Sequence, residues 1–276
     1  MRVLLVILLV IVATSASGKG NQKRIIALSP HAVEMLYEIG VGDQIVATVE
    51  TVNYPEEAKK IPVIGNYAGI QIEKVMSLQP DLVIAWKGGN QKADIERIKS
   101  LGFPIFDSHP QNINEVNQNL IKLGEILGVE EAAHRASERL MSSYQDILSK
   151  YKDKRKVRAF YQLWHDPLRT ASPDNWVGSL LNDCGGENIF AEAGAGYPLV
   201  SMESILVKDP QAIIIPHHSG DPGAKKAIWS DWKNVEAVKN NQIHTIDGDL
   251  ILRASPRAIK GLEILCRMVD DAREFQ

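Results

Sequence analysis

Cysteine is scarce in this sequence: Cys184 and Cys266 are the only two in 276 residues. Neither stands near the N-terminus, so lipid attachment at a processed leader is not expected. An excess of one charge is lacking too. Lys and Arg total 31 against 34 Asp and Glu, net −3, with no run of like charge. That balance offers no footing for nucleic acid or an anionic membrane surface. After Gly18 no apolar run approaches the roughly 20 residues that a membrane-spanning helix needs. Signatures of catalysis are missing as well: there is no G-x-S-x-G elbow, Walker loop or G-x-G-x-x-G. "KGGN" (Lys87–Asn90) and "CGGEN" (Cys184–Asn188) pair glycines without the phosphate-loop pattern. The chain is therefore not expected to be an enzyme. Its histidines lack ligand spacing. His217 and His218 are adjacent after an apolar run, and neighbours on an extended segment point to opposite sides. No metal centre is expected.

What is present starts at the N-terminus. "MRVLLVILLVIVATSASGKG" sets Arg2 before an apolar run, Val3 to Ala13, and small residues from Thr14 to Gly18. This is the plan of a cleaved secretory signal peptide, residues 1–18, with cleavage after Ala16 or Gly18. The mature protein is then expected outside the cytoplasm. In an exported chain an even pair of cysteines points to a Cys184–Cys266 disulfide, the alternative being two separate buried thiols. A bridge would close a loop of about 80 residues, worth up to roughly 4 kcal/mol on the chain-entropy model.

Apolar runs of four to six residues alternate with helical segments, which predicts mostly parallel sheets covered on both faces. "RIIALSP" reads as a strand entering a helix, with Ser29 as cap and Pro30 in the first turn. "SPRAIKGLEILCRMVDDAREF" reads as a closing helix capped by Ser255. Between two such regions, Val129 to Lys154 runs without glycine or proline. Its apolar residues (Ala132, Ala136, Leu140, Met141, Tyr144, Ile147, Leu148) fall at helical spacing. At 1.5 Å per residue that helix would span nearly 40 Å. The expectation is an N-terminal α/β lobe over 19–128, a linking helix over 129–154 and a C-terminal α/β lobe over 155–276, with a ligand cleft between the lobes. A repeat supports this. "IEKVMSLQPDLVIAW" (Ile72–Trp86) and "MESILVKDPQAIIIP" (Met202–Pro216) each carry a glutamate, then a proline seven residues later, then an apolar run. Glu73 and Glu203 hold corresponding places.

Three segments, "DLVIAWKGGN", "CGGENIF" and "RASPR" (Arg253–Arg257), resemble the periplasmic cobalamin-binding proteins of ABC importers. The likeness runs from Arg24 to the final helix. These belong to the solute-binding proteins built on one long helix, which also include siderophore and haem binders; "CGGENIF" is shared with those relatives. The resemblance implies two α/β lobes bridged by a helix, with cobalamin held between them and no other cofactor. It implies a permease and its cytoplasmic ATPase as partners for a monomeric carrier in the periplasm. It implies that Glu73 and Glu203, one per lobe, dock on permease arginines; the plain alternative is that each stabilises its own helix N-terminus.

For the ligand cleft, the strand-end rule and the resemblance together select Trp86, after "DLVIA"; the resemblance implies Asp249 and Arg253 as well, which could also form a local ion pair four residues apart. Tyr67 and Tyr197, in glycine-flanked loops, stand where relatives carry tryptophan. Thr51 stands where they carry tyrosine, so one aromatic contact is absent. Trp164 and His165 follow the strand "KVRAFYQLW". A haem carrier is the main rival, with Tyr67, Tyr197 or His165 as axial ligand; a ferric-siderophore carrier would favour several arginines.

Overall fold

The computed structural model describes residues 22–151, 153–218 and 226–275. The expected signal segment, 1–18, lies outside the described residues. The first half runs β1 Ile25–Ala27, α1 Pro30–Glu38, β2 Ile45–Thr48, a small hairpin of β3 Gly65–Asn66 and β4 Gly69–Ile70, α2 Ile72–Leu78, β5 Leu82–Ala85, α3 Lys92–Ser100, β6 Ile105–Asp107 and α4 Ile113–Leu127. Helix α5, Glu130–Tyr151, crosses to the second half. That half runs β7 Val157–Tyr161, α6 Trp176–Asp183, β8 Gly186–Asn188, α7 Met202–Lys208, β9 Ala212–His217, α8 Glu236–Lys239, β10 Ile243–Asp247, α9 Gly248–Ile251 and α10 Ala258–Arg273.

Each half is built on a parallel sheet. The orders are β2-β1-β5-β6 and β10-β9-β7-β8. Counted from the start of each half, both read second, first, third, fourth strand. The two lobes are one topology used twice, as the twin helix-strand stretches imply. Alternate strand residues enter different cores, as the pleat requires. Ile25, Ala27, Leu82 and Ile84 join the cluster shared with the long helices, while Ile26 and Val83 face an outer cluster. In the second lobe Ala159, Tyr161, Ala212 and Ile214 face the shared cluster, and Phe160, Ile213 and Ile215 an outer one.

Helix α5 is the continuous link. Ala133, Ala136, Leu140, Tyr144, Ile147 and Tyr151 form its buried stripe, so one apolar core passes from lobe to lobe along it. It is shorter than the 129–154 reading, 22 residues or about 33 Å. It starts one residue later and ends at Tyr151, ahead of the charged "DKRK". Ala133, rather than Ala132, is the inward alanine of its first turns.

A second difference concerns Ser255. It does not cap the closing helix: α10 begins at Ala258, with Arg257 at the cap position and no side-chain cap. The Ser255 hydroxyl instead donates to the Glu34 carboxylate, a charge-assisted bond. Ser29 does cap α1, accepting from the Ala32 amide with Pro30 at the helix start. β8 is an additional short strand inside "CGGENIF". It is held by buried Asn188, whose amide donates to the Thr170 hydroxyl and the Ala171 carbonyl.

Cys184 and Cys266 form the expected disulfide, tying the end of α6 to α10 across 82 positions, with Cα atoms 4.6 Å apart. Replacing both by alanine should lower unfolding free energy by roughly 2–5 kcal/mol, read as a lower urea midpoint with an intact far-UV spectrum.

Candidate functional site

In a parallel sheet whose order reverses, the crevice opens beyond the carboxyl ends of the strands flanking the reversal. In the first lobe these are β1 and β5; in the second, β7 and β9. The residues after them meet in one cavity of about 680 Å³ between the lobes. Pro30 and His31 follow β1, Trp86 follows β5, Leu163 follows β7 and His218 follows β9. Thr51, Val52, Asn53 and His109–Gln111 complete the first wall; Trp176, Val177, Tyr197, Asp249 and Leu252–Ala254 complete the second.

Trp86 is placed by its neighbours. Its backbone amide donates to Asn90 Oδ1 at 2.7 Å, and Asn90 Nδ2 donates to the Leu28 carbonyl at 2.8 Å. The "KGGN" turn is thus clamped to the end of β1. Gly89 lies under the indole; a Cβ there would meet the ring at 1.9 Å, so only glycine lets the turn close beneath it. The His31 ring meets Trp86 edge-on, centroids 5.5 Å apart. His31 Nε2 is 3.0 Å from the Ser108 hydroxyl. Burial drives its pKa down to about 4, with the Ser108 carbonyl opposing and His109 adding to the depression. His31 is therefore a neutral support for the tryptophan at neutral pH. On the facing wall, Tyr197 sits in a loop pinned from both sides. Arg169 Nη1 donates to the Tyr197 carbonyl at 2.8 Å, and Asn175 Nδ2 to the Gly196 carbonyl at 2.7 Å.

Asp249 and Arg253 form the anticipated ion pair, 2.8 Å apart, and both line the cavity. They also reach across the cleft. Asn53 Nδ2 donates to Asp249 Oδ2 at 2.6 Å, and Arg253 donates to Asn53 Oδ1 at 2.7 Å and to the Thr51 carbonyl at 3.1 Å. Burial pushes the Asp249 carboxyl up, but Asn53, Arg253 and His218 outweigh it and hold it below the usual range. The carboxylate is ionised, so His218 Nδ1, 3.2 Å away, donates to it. Thr51 has φ 73, the left-handed region that a β-branched residue rarely enters. Its carbonyl is the acceptor for Arg253 across the cleft.

Trp86, Tyr197, Thr51, Asp249 and Arg253 thus share one cavity. Tyr67 and Trp164 do not line it. Tyr67 caps the β3–β4 hairpin, 81 % exposed, its carbonyl accepting from Gln91. Trp164, 62 % exposed, lines an adjoining cavity of about 740 Å³ with His165, and its indole donates to the Asp166 carbonyl. Leu163, His218 and Leu252 border both spaces. Sequence reasoning overlooked His31, Asn53, Trp176 and Glu34. His31 was accessible through the strand-end rule that selected Trp86, and Glu34 as a carboxylate within the apolar run of α1.

Two like-folded lobes on a shared helix, with a groove walled by both sets of strand ends, define a two-lobed solute receptor. The model of the periplasmic binding protein family matches residues 25–250, and the chain belongs to that family. It is 34 % identical to the vitamin B12-binding protein of Vibrio parahaemolyticus over 91 % of this chain and 90 % of that one. The crystal structure of the periplasmic vitamin B12 binding protein BtuF of Vibrio cholerae superposes with TM-score 0.85 at 34 % identity, covering 91 % of this chain and 98 % of that one. The periplasmic haem-binding protein BhuT, with two haems, shares the fold at TM-score 0.80 and 19 % identity, covering 91 % and 98 %.

Between pH 6.5 and about 4 the unfolded chain gains a proton at His31 that the folded chain refuses. Acidification through this window therefore costs stability, on the order of 3 kcal/mol. Asp183 has the opposite sense. Burial raises it to about 6, partly offset by the Tyr144 hydroxyl, so its folded form keeps a proton the unfolded chain loses. Comparing wild type with His31→Gln isolates the histidine. Urea unfolding from pH 7 to 4 should show the wild type losing more stability than the variant.

Proposed function

We propose that this protein captures a cobalamin between its lobes and delivers it to the permease of an ABC importer. The observation that carries the reading is 34 % identity, over nine-tenths of the chain, to proteins named for vitamin B12 binding. The cleft chemistry supports it. A corrinoid is large, flat, close to neutral and edged with amides. The cavity offers Trp86 and Tyr197 on facing walls as flat apolar surfaces. Among the described wall residues the charged side chains, histidines aside, are Asp249 and Arg253, and they neutralise each other. A ferric siderophore or the carboxylates of haem would call for unpaired cations in that wall. In the haem reading, His31, His109, His218 and Tyr197 are the cavity residues of the types that ligate haem iron.

Titration of the purified protein with cyanocobalamin, haemin and a ferric siderophore separates these cases. Cyanocobalamin should quench tryptophan fluorescence and bind tightest, and Trp86→Ala should weaken it by about ten- to a hundredfold. Tight haemin binding with no corrinoid response would overturn the reading.

The delivery half rests on the repeat. Glu73 and Glu203 are exposed in the first turns of α2 and α7. Each helix buries one anchor, Val75 or Ile205. Each ends on a left-handed non-glycine residue, Gln79 at φ 43 or Asp209 at φ 45, before a buried proline. The backbone amide at the helix start and the Ser201 hydroxyl hold the Glu203 carboxyl below its usual range. One charged carboxylate at matching places on two like lobes suits a two-fold arginine surface. Glu73→Ala with Glu203→Ala should leave cyanocobalamin affinity unchanged and depress uptake into vesicles carrying the importer; unimpaired uptake refutes docking.

A further inference from the structure

The lobes meet beneath the cleft at one buried carboxylate. We propose that Glu34 is a positioning residue. By capturing Arg253, Ser255 and Arg257 of the opposite lobe, it sets the separation of the cleft walls and so the rate at which a bound ligand escapes.

The geometry is that of a latch. Glu34 Oε1 accepts from Arg253 Nη1 at 3.1 Å and Arg257 Nη2 at 2.7 Å; Oε2 accepts from Arg257 Nε at 3.1 Å and the Ser255 hydroxyl at 2.5 Å. The Glu34 side chain is 2 % exposed. Its arginine and serine partners lie 219 to 223 positions away, on the segment joining α9 to α10. A carboxylate this dry is tolerated only while its cations are in place. Parting the lobes would strip those cations away, so opening the cleft and unpairing Glu34 are one event.

The latch is coupled to the cavity through Arg253. The guanidinium that binds Glu34 also holds the Thr51 carbonyl, Asn53 and Asp249 while the side chain lines the ligand space. Its terminal nitrogens are bonded on both sides of the gap before any ligand arrives. Arg257 secures the rear. It lies 4.2 Å over the Tyr54 ring and donates to the Asp249 carbonyl at 3.1 Å. Glu34, Tyr54 and Arg257 also line a pocket of about 200 Å³ that shares no lining residue with the cleft. The helix geometry fits this role. His31 and Glu34 are three apart on α1, so one helix face supports Trp86 and holds the opposite lobe. A buried ion cluster is a poor source of stability compared with apolar packing, and its best-attested use is to specify one arrangement among several.

The test uses spin labels on Lys99→Cys in α3 and Lys239→Cys in α8, both exposed and on different lobes. Cys184 and Cys266 are bridged, so no native thiol competes. Pulsed dipolar spectroscopy on the ligand-free protein should give a longer and broader distance distribution for Glu34→Gln than for wild type. Cyanocobalamin should leave the variant about tenfold faster, with association changed far less. Glu34→Asp, which keeps the charge on a shorter arm, should shift distances the same way by less; it carries the test if Glu34→Gln does not fold. Superposable distance distributions overturn the latch. Longer distances with an unchanged dissociation rate overturn its link to ligand escape. The escape half rests on the cobalamin reading. If wild type fails to bind cyanocobalamin that reading fails, while the ligand-free distances still decide the latch.

Discussion

The arrangement of the two lobes depends on a charge cluster at the base of the cleft. Apolar packing along α5 joins them but is non-directional and tolerates sliding. The bonds from Arg253, Ser255 and Arg257 to Glu34 are directional and fix which residues face each other. The free energy gained is modest, since removing these ions from water offsets much of their attraction. What the cluster supplies is register between halves whose sheets never share a hydrogen-bonded edge.

With that register in place, the topology does the rest. Each sheet reverses its strand order between its first and third strands, so each opens a crevice at their carboxyl ends. Facing the two crevices brings Trp86 and His31 opposite Tyr197, Trp176 and Leu163. The aromatic groups are held from behind rather than left to find a ligand. Asn90 clamps the turn that carries Trp86, His31 abuts its ring, and Arg169 and Asn175 pin the loop of Tyr197. Ordering these side chains on binding would oppose affinity, and the structure has already met most of that cost.

The twin helices have a different logic. Two short helices of nearly identical burial pattern present Glu73 and Glu203, and both stop on strained left-handed residues before a proline. The repetition of that stop in residues that are not glycine marks the helix-to-strand corner as a shared element of the two lobes.

Local pattern determined much of this protein. Strand-helix alternation, the glycine-free stretch that becomes α5, the Ser29 cap, the Cys184–Cys266 pair and the twin helices were all legible, because periodicity and short-range chemistry specify them within a few residues. The strand-end rule put Trp86 at the cleft for the same reason, whereas Asp249 and Arg253 were selected there through the family resemblance. Only the tertiary structure decided where Tyr67 and Trp164 lie, since a hairpin tip or a loop is aimed by contacts distant in sequence. It alone turned Ser255 from a cap into a donor to Glu34, and joined a carboxylate on the first helix to arginines beside the last. Those pairings depend on how two separately folded sheets are set against each other, and no local period encodes that distance.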